Sequence, residues 1–306
     1  MFSNALLCYA VYINTRLRRV TNIYVLVLAV TDLLTAVLVM PFLCSVSIHG
    51  KWNFSWFSCQ FQAYCCVVLA YTAQLMFPLT AINRCIRVIR PRIYTKLFVK
   101  KYILLSIAFV SVCAISAPLP YLLRGHKFAF HPGMMICFYT IENTREKQAI
   151  YRIVFFTILP MVIVTCCYLR IYSSVKRHAK RLQNTTDPDE SEESRRHPQN
   201  TPDGTTASGN RLSLDDILMT KLLFAIIFAF FVCWTPLYII TAIDTAYEKM
   251  SLPRQVYFFA TYLVGVSSIA NPVIFGYMNA TFREECKNLF KAVELKRMRE
   301  VRHIEE

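Results

Sequence analysis

The sequence predicts an all-α integral membrane protein: a bundle of seven transmembrane helices, the first of them truncated, with a short amphipathic surface helix after the seventh span. Composition is one reason, because 55% of the residues are hydrophobic and only 17% are charged, against about 25% charged in soluble domains. A second is a series of six apolar runs, each long enough to cross about 30 Å of hydrocarbon as a helix. The third is that strongly basic linkers alternate with weakly basic ones. Together these observations disfavour a soluble enzyme.

The apolar runs carry little internal charge. A short run over residues 1–13 comes first; it makes about 20 Å of helix, too short to span, so we interpret it as the remnant of a first span. Asp32 is the acid inside the long runs, and Asp244 lies just beyond the sixth span. The long runs are Ile23–Val46, Phe61–Ile82, Tyr102–Leu123, Ile150–Tyr172, Ile217–Ile243 and Val256–Met278.

The linkers between the runs predict the topology. The positive-inside rule makes the basic linkers cytoplasmic, which places the amino end outside and the carboxyl end inside a multi-pass plasma-membrane protein. That orientation requires an odd number of spans, and seven fits. We expect the net charge of +15 to serve topology and contacts with membrane lipids, and we expect no nucleic-acid partner.

The remaining segments complete the domain organisation. The seven-transmembrane domain is predicted over residues 1–295, and residues 296–306 form a cytoplasmic tail. Within the domain, 173–213 is polar and nearly free of apolar residues, which predicts a disordered third cytoplasmic loop. After Met278, apolar residues recur on one face among Lys and Arg and predict the surface helix. Cys286 on that helix is a candidate for palmitoylation, with a plain thiol as the alternative.

Several motifs stand in or beside the runs in a definite order. LAVTD ends in Asp32 and follows Asn4 of the first span; the third span ends in NRC with Arg84; FFVCWTP lies in the sixth span and NPVIF in the seventh. From Asn4 to about Leu289, these motifs together resemble the rhodopsin-like family of G-protein-coupled receptors. Within that family, NRC and the GYMNATFREE run after the seventh span resemble the melatonin receptors.

The resemblance implies a receptor and not an enzyme: an extracellular ligand would act through the helix bundle on a heterotrimeric G protein. It implies that Arg84 pairs with Asp216 in the inactive state and separates from it on activation. It also implies a disulfide between Cys59 and Cys137, on the predicted outer and oxidising face. The positions that match the family's activation switch are Asp32, Arg84, Tyr168, Asp216, Phe230, Trp234, Pro236, Asn271, Pro272 and Phe275.

The chain departs from the family pattern at three positions in these motifs. Asn83 and Cys85 flank Arg84 where the family has an acid and a tyrosine, and Phe275 replaces the tyrosine of the seventh-span motif. Without that hydroxyl, a water-bridged link to Tyr168 in the active state cannot form. The departures leave the strength of signalling open.

Asp32 is a carboxylate inside hydrocarbon, which is costly and usually functional. The resemblance implies a sodium ion there as an allosteric modulator, held by Asp32, Ser267, Ser268 and Asn271, and no other cofactor. Ala73 stands where many family members have a serine, which removes one ligand. A protonated, hydrogen-bonded Asp32 is the alternative.

The resemblance also assigns a ligand pocket. Cys66 occupies the place of the aspartate of amine receptors, so a biogenic amine would lack its counter-ion. Gly265 occupies the place of the retinal-linking lysine of opsins, which excludes a Schiff base. The assigned lining is uncharged and suits a neutral, lipophilic ligand. It consists of Cys66, Val67, Ala70, Trp234, Leu237, Tyr238, Thr241, Thr261 and Gly265.

Other interpretations stay open at this point. A short peptide could bind if basic residues at the pocket mouth receive an acidic group, although a solvated loop explains the same residues: Arg124, His126, Lys127 and His131. A membrane transporter or channel would show paired intramembrane charges or inverted repeats. A non-signalling receptor fragment would explain the short first run.

The glycosylation sequons test the predicted topology. Asn53-Phe54-Ser55 lies on the predicted outer face and should be glycosylated. The sequons at Asn184 and Asn279 lie on the predicted cytoplasmic side and should stay unmodified.

Overall fold

A computed structural model describes residues 1–13, 20–140, 151–184, 214–247, 249–279, 282–284, 286–288 and 291. The helices are α1 (Phe2–Ile13), α2 (Val20–Leu38), α3 (Met40–His49), α4 (Trp56–Ile89), α5 (Pro91–Leu97), α6 (Lys100–Ser116), α7 (Leu119–Leu123), α8 (Leu159–Asn184), α9 (Leu214–Tyr247) and α10 (Arg254–Met278). Two short strands, β1 (Ala129–His131) and β2 (Ile136–Phe138), precede a π-helical turn at Val154–Ile158 that leads into α8.

Six stretches of helix are long and apolar enough to cross a membrane, which confirms the six predicted full spans. Each predicted run falls on one of them, and the short apolar helix Phe2–Ile13 stands where the truncated first span was predicted. This helix packs against α2 and α10 and buries Leu7 and Ala10 in the common core. The spans are Ile23–His49, Trp56–Ile89, Lys100–Leu123, Tyr151–Arg177, Ile217–Tyr247 and Arg254–Met278.

The spans are not uniform helices, and the irregularities coincide with prolines. The span from Ile23 breaks at Val39, one residue before α3 begins and two before Pro41. The π-helical turn ends two residues before Pro160, which has no N–H to donate to the preceding turn. Pro236 and Pro272 lie inside α9 and α10. Each proline removes one backbone hydrogen bond and creates a point at which the helix can bend.

The largest core cluster lies between the spans in the half of the bundle that contains Arg84. Its members come from all the long helices and include Phe77 of α4, Ile226 of α9 and Phe275 of α10, none more than 1% exposed. Large apolar side chains also cover the outside, as with Phe109, which is 68% exposed. In a bilayer those outer side chains meet lipid, so close packing, and not removal of apolar surface from water, holds the helices together.

The loop predicted over 173–213 begins later than expected. Helix α8 continues through Asn184, so the predicted boundary at 173 is wrong: the basic residues at its start prolong the helix beyond the apolar run. The rest of that loop, 185–213, and the tail, 296–306, lie outside the described residues. The predicted surface helix is described as helical at 282–284, 286–288 and 291. Asn279 caps it, because its Oδ1 accepts the Phe282 N–H at 3.1 Å.

A β-hairpin that the apolar runs and motifs do not predict covers one end of the bundle. The strands β1 and β2 are antiparallel, with Phe130 opposite Cys137. The predicted disulfide between Cys59 and Cys137 is present and ties β2 to the first turn of α4. Gln62 Oε1 accepts the Cys137 N–H at 2.8 Å, and the Gln60 amide group bonds both the N–H and the C=O of Phe128. We call this side of the molecule the hairpin end, and the opposite side the Arg84 end.

Candidate ligand cavity and activation residues

A cavity of about 210 Å³ opens beneath the hairpin, between α2, α3, α4, α9, α10 and the start of the fifth span. Every residue that the sequence analysis assigned to the ligand pocket lines this cavity. Tyr71 also belongs to the wall, where its ring stacks on Phe156 at a centroid distance of 4.1 Å. The assigned residues in the lining are Cys66, Val67, Ala70, Trp234, Leu237, Tyr238, Thr241, Thr261 and Gly265.

The expectation of an uncharged lining is wrong. Arg152 and Asp244 line the cavity, together with His131 and the buried amide of Gln74, whose Oε1 has no hydrogen-bond partner among the described residues. The sequence position of Arg152 could have predicted this charge. A single cation inside an apolar run has a high free-energy cost in the membrane and usually faces the interior of the bundle. The β-hairpin is what brings His131 over the cavity, and no local pattern predicts that placement.

A hydrogen-bonded acid lies at the hairpin end of the cavity. Asp244 Oδ1 accepts a hydrogen bond from the Tyr257 hydroxyl at 2.6 Å and another from the Ser251 N–H at 3.0 Å. The His131 ring lies 5.2 Å from the Tyr257 ring, and its Nδ1 accepts the Met134 N–H at 3.1 Å. Burial lowers the pKa of His131, and the Asp244 charge opposes that shift only in part. His131 is therefore a neutral acceptor that orients the hairpin turn.

Four basic residues were considered as a binding site for the acidic group of a peptide. Of these four, only His131 lines the cavity. Arg124 is exposed. The Lys127 ammonium lies over the Trp56 ring at 5.3 Å, and His126 packs against Tyr121 at 5.2 Å. The structure thus does not bring these four residues together as a binding surface.

The far end of the cavity is joined to α4 by aromatic contacts. Trp234 Nε1 donates to Ser267 Oγ at 3.2 Å, which fixes the indole between α9 and α10. Four aromatic rings form a continuous column from the cavity to α4. The centroid distances are 5.8 Å from Tyr238 to Trp234, 5.0 Å from Trp234 to Phe230 and 4.3 Å from Phe230 to Phe77. The column therefore connects the Trp234 side of the cavity to the helix that carries Arg84.

The predicted polar cluster forms around Asp32. Asn271 Nδ2 donates to Asp32 Oδ2 at 3.1 Å, and the Ser268 side chain also interacts with the Asp32 carboxylate. Asn4 Nδ2 reaches the Ser268 carbonyl at 3.0 Å. The Ser267 hydroxyl is already engaged, since it accepts from Trp234 and donates to the Val264 carbonyl. Asn271 and Asn4 each keep a buried Oδ1 without a partner among the described residues.

The Arg84 end holds the remaining switch residues. Arg84 is 2% exposed and Asn83 is fully buried, and Arg84 interacts electrostatically with the Tyr168 ring hydroxyl. Phe275 is fully buried against Phe282, at a centroid distance of 5.3 Å. The predicted Arg84–Asp216 pair cannot be placed, because the side chain of Asp216 lies outside the described part of the chain.

Comparison with known proteins identifies the family. The family model described as 7 transmembrane receptor (rhodopsin family) matches residues 3–275. Melatonin receptor type 1A of Phodopus sungorus is 26% identical over 292 residues, 94% of this chain and 76% of that receptor; the receptor of the same name from Gallus gallus is 27% identical over 292 residues. The crystal structure of squid rhodopsin superposes with a TM-score of 0.75 at 16% identity, covering 95% of this chain and 81% of its own. The predicted fold, the predicted family and the predicted role as a G-protein-coupled receptor are thereby confirmed, and the chain belongs to the rhodopsin family of seven-transmembrane G-protein-coupled receptors.

Proposed function

We propose that this receptor couples a small, mainly apolar organic ligand, bound in the cavity beneath the hairpin, to a heterotrimeric G protein at the Arg84 end. The observation that carries the proposal is the aromatic column. It begins at cavity residue Tyr238, passes through Trp234 and Phe230, and ends on Phe77 of the helix that holds Arg84.

The size of the cavity supports a small molecule over a peptide. A cavity of about 150 Å³ suffices for benzene, so about 210 Å³ suits a ligand of one or two rings. The apolar and aromatic lining supports the lipophilic part of the earlier expectation, whereas Arg152 argues against strict neutrality. Relatives are named for melatonin, an indole of suitable size, which makes melatonin the first probe.

The mechanism is a shift between two populations. In the active state, the part of α9 at the Arg84 end would move outward by bending at Pro236. An agonist that contacts Trp234 more favourably in this state than in the inactive one would increase its population. The movement would open a cleft beside Arg84 for the G protein. The proposed Arg84–Asp216 pair would hold α4 and α9 together in the absence of agonist.

The polar cluster below Trp234 supports a sodium ion as an allosteric modulator. The Asp32 carboxylate and the buried Oδ1 of Asn271, which has no partner among the described residues, are hard oxygen donors, and Ser268 lies beside them. Ser267 would have to release Trp234 to join, so a bound ion and the indole position would be coupled. An agonist that moves Trp234 would then weaken sodium binding, and sodium would weaken agonist binding equally.

We further propose that the hairpin end faces outward at the plasma membrane, with the amino end outside. The disulfide needs an oxidising compartment, and the linkers beside Arg84 carry most of the basic residues, which favour the cytoplasmic side.

The experiment is a coupling assay in cells on the full chain with an amino-terminal tag. Surface density and G-protein dissociation are measured for each Gα class, both in the basal state and with melatonin. We expect wild-type coupling above background, a loss in Arg84→Ala at equal surface density, and no loss in Arg177→Ala, which removes an exposed arginine from the same end. Equal coupling by Arg84→Ala and wild type, or no coupling to any class, would contradict the proposal.

A further inference from the structure

Arg152 is a cation for which the cavity supplies no counter-ion among the described residues. It is partly buried at the start of the fifth span and lines the cavity. Its guanidinium lies 3.9 Å from the centroid of the Tyr139 ring. That contact attracts the cation but does not neutralise it.

The acids that share the cavity form no ion pair with Arg152 among the described residues, and each accepts hydrogen bonds from neutral donors instead. Asp244 accepts hydrogen bonds from Tyr257 and Ser251, and Asp32 accepts one from Asn271. A partly buried cation is costly unless an anion or several acceptors meet it. A guanidinium presents parallel N–H groups that match the two oxygens of a carboxylate.

A second donor stands beside Arg152. Tyr139 is 5% exposed and lines the cavity. Its hydroxyl interacts with the neighbouring Tyr71 hydroxyl, but it makes no hydrogen bond of normal geometry with any described residue. Burial raises the pKa of Tyr139 far above its ordinary value, so the phenol keeps its proton and can donate it to an anion. Among the described residues, this buried hydroxyl meets only Tyr71, without normal hydrogen-bond geometry, and the guanidinium beside it has no ion pair. The two groups together indicate a site for an acceptor.

The walls next to these two donors are aromatic. Tyr71 stacks on Phe156, and the Tyr71 and Tyr238 side chains both line the cavity. Aromatic rings favour offset or edge-on contact with another ring. The cavity wall therefore offers hydrogen-bond donors for an anion on one side and aromatic rings next to them, close enough for one small molecule to contact both.

We propose that the receptor binds a small aromatic carboxylate, whose carboxylate accepts hydrogen bonds from the Arg152 guanidinium and the Tyr139 hydroxyl while its ring packs against Tyr71 and Tyr238. This inference deepens the proposed function, because it names the ligand class of the same cavity.

Matched acid and amide probes test it on the purified full chain in lipid nanodiscs. The probes are indole-3-acetate with indole-3-acetamide, and 3-phenylpropionate with 3-phenylpropanamide; their affinities come from thermal-shift titration. We expect at least one acid to bind about 10-fold or more tightly than its amide. Arg152→Gln should weaken the acid about 10- to 100-fold and leave the amide unchanged.

Further variants separate this role from a structural one. Arg254→Gln removes an exposed arginine at the hairpin end with the same change in charge and should leave both affinities unchanged. Arg152→Lys keeps the charge but loses the paired N–H groups, and Tyr139→Phe keeps the ring but loses the donor. Each should weaken the acid selectively, and these two carry the test if Arg152→Gln does not fold.

Three results would overturn the inference: equal affinity for acid and amide in the wild type, an equal loss of both in every Arg152 and Tyr139 variant, or no binding of any acid. Because binding is measured without a G protein, acid binding by a chain that never couples would contradict only the proposed function. Coupling driven by neutral ligands alone would contradict only the carboxylate.

Discussion

The buried side-chain amide of Gln62 holds the β-hairpin in place over the cavity. It is fully buried on α4, and its Oε1 receives the N–H of the disulfide residue Cys137. We expect Gln62→Met, which keeps the shape but removes the acceptor, to destabilise the fold by about 1–3 kcal/mol, because the Cys137 N–H stays buried without a partner. The measurement is the Tm of the purified receptor. Gln255→Met, at an exposed position, is the control, and equal Tm values for the two variants would contradict the prediction.

His131 makes stability depend on pH. Burial lowers its pKa in the folded state, so as the pH falls below about 6.5 the unfolded chain takes up a proton that the folded chain resists. Full stability is therefore present above about pH 6.5 and is lost as the pH falls toward the lower folded pKa. Tm measured from about pH 8 to about pH 5 should show the loss. His131→Gln, which keeps an acceptor for Met134, should flatten the curve; an unchanged slope would argue against His131.

At the scale of elements, the hairpin depends on its covalent tie to α4. The disulfide joins residues 78 positions apart, and removal of a native disulfide typically costs about 2–5 kcal/mol. We expect the double variant Cys59→Ser with Cys137→Ser to lower the Tm and to weaken ligand binding, since β2 and Tyr139 border the cavity. Cys44→Ser, at an exposed cysteine outside any disulfide, is the matched control. A double variant that behaves like Cys44→Ser would show that Gln60 and Gln62 hold the hairpin alone.

At the scale of the whole molecule, glycosylation reports the orientation in the membrane. Asn53 is exposed between α3 and α4 at the hairpin end, whereas Asn279 is 4% exposed and its side chain caps the following helix. We expect a glycosidase-sensitive shift on gels that Asn53→Gln abolishes and that Asn184→Gln and Asn279→Gln leave intact. A shift that persists in Asn53→Gln would contradict the proposed outward hairpin end.

The sequence by itself determined the spans and the order of the motifs, and the resemblance that those motifs carry placed nine residues in the cavity lining. Long apolar runs have few alternatives to helix in a bilayer, because every backbone polar group must be satisfied within the segment. The places of Trp234, Asn271 and Gly265 within those spans followed from the family resemblance, and so did the disulfide from Cys59 to Cys137.

Tertiary structure alone decided the chemistry of the ligand end. The hairpin is short and is tied to α4 by three distant contacts: Gln60 and Gln62 bond backbone groups at the hairpin, and the Cys59–Cys137 disulfide links it covalently. Those long-range contacts place Tyr139 beside Arg152. The hydrophobic periodicity of a sequence indicates which residues face the interior, but it does not indicate which of these residues contact each other. The fold depends on local regularity, which the sequence records, whereas the charges that line the ligand cavity depend on such contacts between distant residues, which it does not.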